Sequence, residues 1–151
     1  MKILHLIWWT IAALFSKKPI VRWVEKDYLD RHGAGKFRYF WPRRACWYQL
    51  YKDLQGYERD SYDFHEWIHW HRYRQGDDDK PAAYTNELWA YAGQVLLENR
   101  IGHDTFDGRA SQLAMSYGYG HSLEKVRYDL EATMKQFDFD KMHRLFKKQR
   151  A

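Results

Sequence analysis

The spacing of apolar residues changes at Pro81, and that change limits the folds open to the chain. Ahead of it, aromatic residues alternate as they do in strands. Phe37, Tyr39 and Trp41 share one side of a segment from Lys36 to Trp41, and a second β-favouring run, Cys46 to Tyr51, follows Pro42-Arg43-Arg44. Beyond it the period is helical. Leu88, Ala92, Val95 and Leu96 recur between Asn86 and Asn99, with Thr85 or Asn86 as cap and Gly102 past the end. Leu123, Val126, Leu130, Met134 and Phe137 form a stripe behind Ser122, and Asp138 opens a last basic helix through Phe146. Between these helices, residues 102–120 are expected to be a loop. Ile20 to Val24, after Pro19, suits either helix or strand.

Two or three short strands bury little by themselves. The expected fold is therefore α+β: an N-terminal amphipathic helix, a small antiparallel aromatic-rich sheet, an extended docking segment, and C-terminal helices with little independent core. Three parts are expected, at residues 1–18, 19–81 and 82–151.

Ile3 to Phe15 is the longest apolar run. At about 1.5 Å per residue it reaches roughly 20 Å, short of the ~30 Å hydrocarbon core of a bilayer. A secretory signal is conceivable because Lys2 precedes the run, but Leu14 and Ser16 make a poor small-x-small cleavage site. Leu4, Ile7, Trp8, Ile11, Leu14 and Phe15 keep helical spacing, and Trp9 pairs with Trp8 ahead of Lys17 and Lys18. These residues suit a helix lying on a membrane surface or in a protein groove, with burial in the chain's own core as the alternative.

Aromatic residues make up 19% of the 151, with 8 Trp and 12 Tyr, while the mean hydropathy is only −0.82. Such side chains serve an interface as readily as a core. The net charge of +5 is compatible with nucleic acid, anionic lipid or acidic protein, but the cations are scattered and no nucleic-acid-binding module is recognisable. No nucleic-acid partner is expected on that ground. A single cysteine, Cys46, cannot form an internal disulfide and is expected to be a small buried hydrophobe.

Phe64 to Pro81 admits two readings. In one, His65, Glu66 and His69 form H-E-x-x-H, with two imidazoles a helical turn apart to chelate zinc and a carboxylate between them to activate water. Glu87 is then the downstream third ligand. Against this stands the polar run Arg59 to Asp63, where such a helix usually turns an apolar face to the fold. In the other reading, Glu66, Trp67 and Trp70 begin a docking segment that ends in Asp77, Asp78, Asp79 and Pro81, with no metal and no chemistry.

The order of pieces along the chain supports the second. Val24-Glu25-Lys26-Asp27, Gly35-Lys36-Phe37-Arg38-Tyr39, Arg43-Arg44-Ala45-Cys46-Trp47-Tyr48, and Glu66-Trp67-Ile68-His69-Trp70-His71 with Asp77, Asp78 and Pro81 follow one another. The series resembles the accessory subunit family of mitochondrial respiratory complex I that includes the assembly factor mimitin, over about residues 24–81. The family's glycine-asparagine turn is replaced here by Gly33-Ala34-Gly35, and the prolines before its Glu-Trp signature are absent.

The resemblance implies a non-catalytic subunit, without cofactor, on the matrix side of the inner mitochondrial membrane. It would stabilise the junction of the peripheral and membrane arms of NADH:ubiquinone oxidoreductase, touching core and accessory subunits and the lipid surface. Its partner-binding residues would be Phe37, Tyr39, Arg43, Arg44, Trp47, Tyr48, Glu66, Trp67, Trp70, Asp77, Asp78 and Pro81. The zinc hydrolase, with His65, His69 and Glu87 as ligands, is the alternative. A basic adaptor in an organellar ribonucleoprotein is the second.

Overall fold

The computed structural model describes residues 3–26, 29, 33–77, 83–117 and 120–151. Among them are helix α1 (Ile3–Phe15), strands β1 (Val21–Val24), β2 (Gly35–Arg38) and β3 (Trp47–Tyr51), and helices α2 (Gly56–Gln75), α3 (Tyr84–Ile101), α4 (Phe106–Tyr117), α5 (Leu123–Gln136) and α6 (Phe139–Arg150). The class is α+β, as the spacing indicated.

The strands form one sheet in the order β1-β3-β2. β2 runs antiparallel to β3, with Gly35 opposite Leu50 and Arg38 opposite Trp47. β1 runs parallel to β3, with Val21 opposite Tyr48 and Val24 opposite Tyr51, so the sheet is mixed and not antiparallel throughout. Burial explains which strand is central. Trp47, Tyr48, Gln49 and Leu50 are all fully buried, whereas the edge strands are largely half-buried.

The segment expected to be an extended docking strap is the long helix α2. Its C-terminus is closed by Gly76 at φ 82, the left-handed conformation glycine adopts without a Cβ penalty, and the Asp77 N–H returns to the Arg72 carbonyl. The sheet lies on one side of α2, and α3 and α6 pack elsewhere around it. Nearly every position from Ser61 to Trp70 is buried as a result. A helix enclosed on all sides has no polar face, which is why its sequence lacks a one-sided apolar stripe.

One core joins the sheet to the helical half. Cys46, Tyr48 and Leu50, Phe64, Trp67 and Ile68, and Val95, Leu113, Leu130 and Phe146 belong to a single buried cluster, drawn from both the 19–81 and the 82–151 parts of the chain. The core is substantial where little was expected. Trp47, Tyr48 and Trp67 are wholly inaccessible and Trp70 is 3% exposed, so these rings face the chain's own interior and present no docking surface in this fold. Glu66 is buried with them. Gly93 of α3 leaves room for core side chains: a Cβ built there would lie 2.2 Å from Ile68 Cδ1 and 2.8 Å from the Phe137 ring.

The expected loop over 102–120 is largely helix α4, held by Ala110 and Leu113 in the core. The other helices agree with their signals. The Ser122 hydroxyl accepts from the Lys125 N–H and Asp138 from the Lys141 N–H, each the cap anticipated from its residue type. Of the polar run ahead of His65, Arg59 and Asp60 are exposed, and buried Asp63 accepts from the Tyr48 hydroxyl at 2.5 Å and from Arg150 Nε at 3.0 and 3.1 Å.

Two measurements check this interior. Trp67→Ala removes a ring packed on Phe64 and Phe146 and an indole N–H bonded to Gln149, so urea unfolding should show a loss of about 3 to 5 kcal/mol. Burial pushes the Cys46 thiol up to about 12, so a thiol reagent at pH 8 should label it only after denaturation.

Candidate metal centre

His65 and His69 stand one turn apart on α2 and face Glu87 in the first turn of α3. His65 Nε2 lies 3.4 Å from Glu87 Oε2, and His69 Nε2 lies 3.1 Å from Glu87 Oε1. Each residue offers one ligand atom, and the three atoms fall within 4.8 Å of one another. All three side chains are buried.

Glu87, Tyr91, Gln94 and Glu98 succeed one another at intervals of four, three and four, a polar stripe along the face of α3 turned toward α2 and α4. Gln94 Oε1 sits 2.9 Å from His65 Nδ1 and accepts its proton, which turns Nε2 of the same ring toward Glu87. The Tyr91 ring meets His65 edge-on at 4.8 Å, and Phe37 of β2 stacks on His69 at 5.9 Å. Gln94 and Tyr91 thus fix the His65 ring, and Phe37 covers His69.

Burial alone would raise the Glu87 carboxyl, but the facing imidazoles, His69 ahead of His65, outweigh it and bring the pKa to about 2. Glu87 Oε2 has no hydrogen-bond partner among the described residues. A buried carboxylate oxygen without a partner is costly, and a cation between the helices would satisfy it. Two imidazole nitrogens and one carboxylate oxygen are a donor set suited to zinc with a coordination position left open.

Glu66, between the histidines in sequence, is raised by its burial and by the nearby Glu87, against the pull of His65 and His69. Its place is fixed from above by the edge strand. A Cβ on Gly35 would stand 2.7 Å from Glu66 Oε1 and 2.8 Å from its Cγ, so only glycine leaves room for this carboxylate.

A cavity of about 650 Å³ opens beside the cluster, lined in part by Gly35, Tyr62, His65, Glu66, Tyr91 and Tyr117, with Met115, 88% exposed, at its rim. Its wall is stiffened by Arg109 of α4. That guanidinium clasps Glu98 with bonds of 2.9 and 2.7 Å and donates to the Tyr62 hydroxyl oxygen and Gln112 Oε1, both at 2.9 Å. Because Tyr62 Oη accepts from Arg109, its own proton is available to the cavity.

The structure therefore gathers His65, His69 and Glu87, the set weighed as an alternative to a metal-free reading. Of the residues named for partner binding, Phe37 is half-buried under His69, and Arg43 is half-buried and donates to the Tyr73 carbonyl. Tyr39, Arg44 and Asp77 are exposed, while Asp78 and Pro81 lie outside the described residues. His71 stacks on Trp67 and takes no part in the cluster. Sequence reasoning missed Gly35, Tyr62, Tyr91, Gln94, Glu98 and Arg109. The polar stripe on α3 had the same period as the apolar stripe from Leu88 and was equally visible. The approach of Gly35 and Arg109 came from the fold alone.

Fold and site together define a small α+β protein with a buried cluster of two histidines and one glutamate between adjacent helices. No protein-family model matches the chain, and neither a curated protein nor a solved structure matches it. The chemistry of the site follows from its own geometry.

Acid should expose the buried pairing. The folded pKa of Glu87, about 2, lies below its ordinary 4.5, so its contribution is present above pH 4.5 and is lost as pH falls through 2. Urea midpoints of metal-free protein should drop across this window, by about 3 kcal/mol in stability, and Glu87→Gln should flatten the drop.

Proposed function

We propose that this protein is a zinc-dependent hydrolase in which His65, His69 and Glu87 hold the ion and Glu66 is the general base. One observation carries the proposal: a single turn of α2 and the first turn of α3 bring two imidazole nitrogens and a carboxylate oxygen within 4.8 Å, with an acid between the histidines at a cavity wall. When bound, zinc would polarise a substrate carbonyl and lower the pKa of a water molecule.

The chain's own residues supply the rest. Glu66 accepts the proton of the attacking water and returns it to the leaving group, and the enclosure that disfavours its charge makes it the stronger base. Gln94 holds His65 in the tautomer whose Nε2 is a ligand. The Tyr62 hydroxyl, with its oxygen engaged by Arg109, is placed to donate to an oxygen that gains charge during attack. The cavity, with tyrosines at 62, 91 and 117, suits an amide or ester of an extended acyl chain, such as a peptide.

A docking role of the kind implied by the likeness to the complex I accessory family would need outward-facing indoles. Trp47, Trp67 and Trp70 are interior, so that role draws no support from the site.

Purified protein should carry about one zinc per chain by elemental analysis, and His65→Ala or Glu87→Ala should remove it. Glu66→Gln should keep the zinc yet slow hydrolysis of labelled casein by roughly a hundredfold or more. Failure to take up zinc, or full activity in Glu66→Gln, overturns the proposal.

A further inference from the structure

We infer that α1 lies on the surface of an anionic lipid bilayer and holds the domain there. The inference stands apart from the zinc chemistry and rests on which faces of α1 are covered.

One face is covered by the fold. Ala13 is buried, Leu6, Trp9, Thr10 and Leu14 are half-buried, and the Thr10 hydroxyl accepts from the Trp47 indole N–H at 3.2 Å. Arg22 lies flat over the Trp9 ring. The opposite face is apolar and bare. Leu4, Ile7, Trp8, Ile11 and Phe15 are between 47 and 83% exposed, and Ile3 beside them is 74% exposed. Helical spacing puts these side chains in one stripe. Isolated exposed apolar residues are ordinary, but a continuous stripe of this kind marks a contact surface.

Hydrogen bonds extend the patch. Arg74, near the C-terminal end of α2, gives two bonds of 3.0 Å to the Ser16 carbonyl. Tyr73 donates to the Phe40 carbonyl at 2.7 Å, and Arg43 donates to the Tyr73 carbonyl at 3.0 Å. The end of α1 and the turn at residues 40–44 are thereby tied to the same end of α2. Phe15, Phe40 and Trp41, the last 89% exposed, gather there with exposed Lys17, Lys18 and Arg44. Aromatic rings among cations match the headgroup layer of an anionic membrane. Asp77, just past α2, subtracts from this charge, so apolar contact carries the larger share of the binding.

A bilayer fits better than a second copy of the chain. Lys17, Lys18 and Arg44 border the exposed rings, and anionic headgroups would neutralise these cations, which an identical patch on a second copy would not. No described helix is long and apolar enough to cross a membrane, which leaves α1 along the surface.

The test uses the full chain and sedimentation with vesicles of phosphatidylcholine, with or without phosphatidylserine. The protein should bind the phosphatidylserine vesicles at least about tenfold more tightly. Replacing Ile7, Trp8 and Phe15 together by Ser should abolish binding, with an unchanged circular dichroism spectrum to show that the fold persists. Lys17→Glu with Lys18→Glu should remove the preference for phosphatidylserine and leave weak binding to both. Absence of binding by the parent protein, undiminished binding by the triple variant, or a lipid-free dimer dissociated by that variant each overturns the inference.

Discussion

The rest of the molecule depends on the burial of charge between α2 and α3. Removing a carboxylate and two imidazoles from water costs several kcal/mol per ion unless each finds a partner. Here Glu87 faces His69 Nε2 at 3.1 Å and His65 Nε2 at 3.4 Å, and Gln94 takes the outer nitrogen of His65. Such a cluster is tolerable only if the surrounding packing leaves its members no alternative positions. The sheet above α2 and the helices around it provide that confinement.

The enclosure of α2 also explains how the aromatic residues are used. With the sheet on one side and helices elsewhere, the helix needs bulk in several directions, and Phe64, Trp67 and Trp70 supply it. Indole and phenol groups bring polar tips into the interior, and each must be matched: Trp67 with Gln149, Tyr48 with Asp63, Trp47 with Thr10. Asp63 in turn requires Arg150. Asp63, the last of the polar run ahead of His65 that argued against a metal-binding helix, is the far end of one of these pairings.

What the sequence disclosed depended on whether its signal was local. Ser122 and Asp138 cap the helices they were expected to cap, and the stripes from Leu88 and Leu123 became α3 and α5. The five letters His65 to His69 can be read at once, and Glu87 stands downstream at the distance of a third ligand. Elements defined by distant partners could not be read. The parallel pairing of β1 with β3 joins residues more than twenty apart, and nothing in Val21 to Val24 specifies its direction. Helix α4 was taken for a loop because its most telling residue, Arg109, is polar and finds Glu98 only after the chain has folded. The weight given to the indoles as outward anchors failed for the same reason: composition counts rings without telling which way they point.

Gly93 adds a consequence for how the interior tolerates change. With no side chain at that position, Ile68 of α2 and the Phe137 ring both fill the space against α3, and a Cβ there would lie 2.2 Å from one and 2.8 Å from the other. Even a single methyl group would have to displace two core side chains at once, so the seam is closed to the smallest enlargement without repacking.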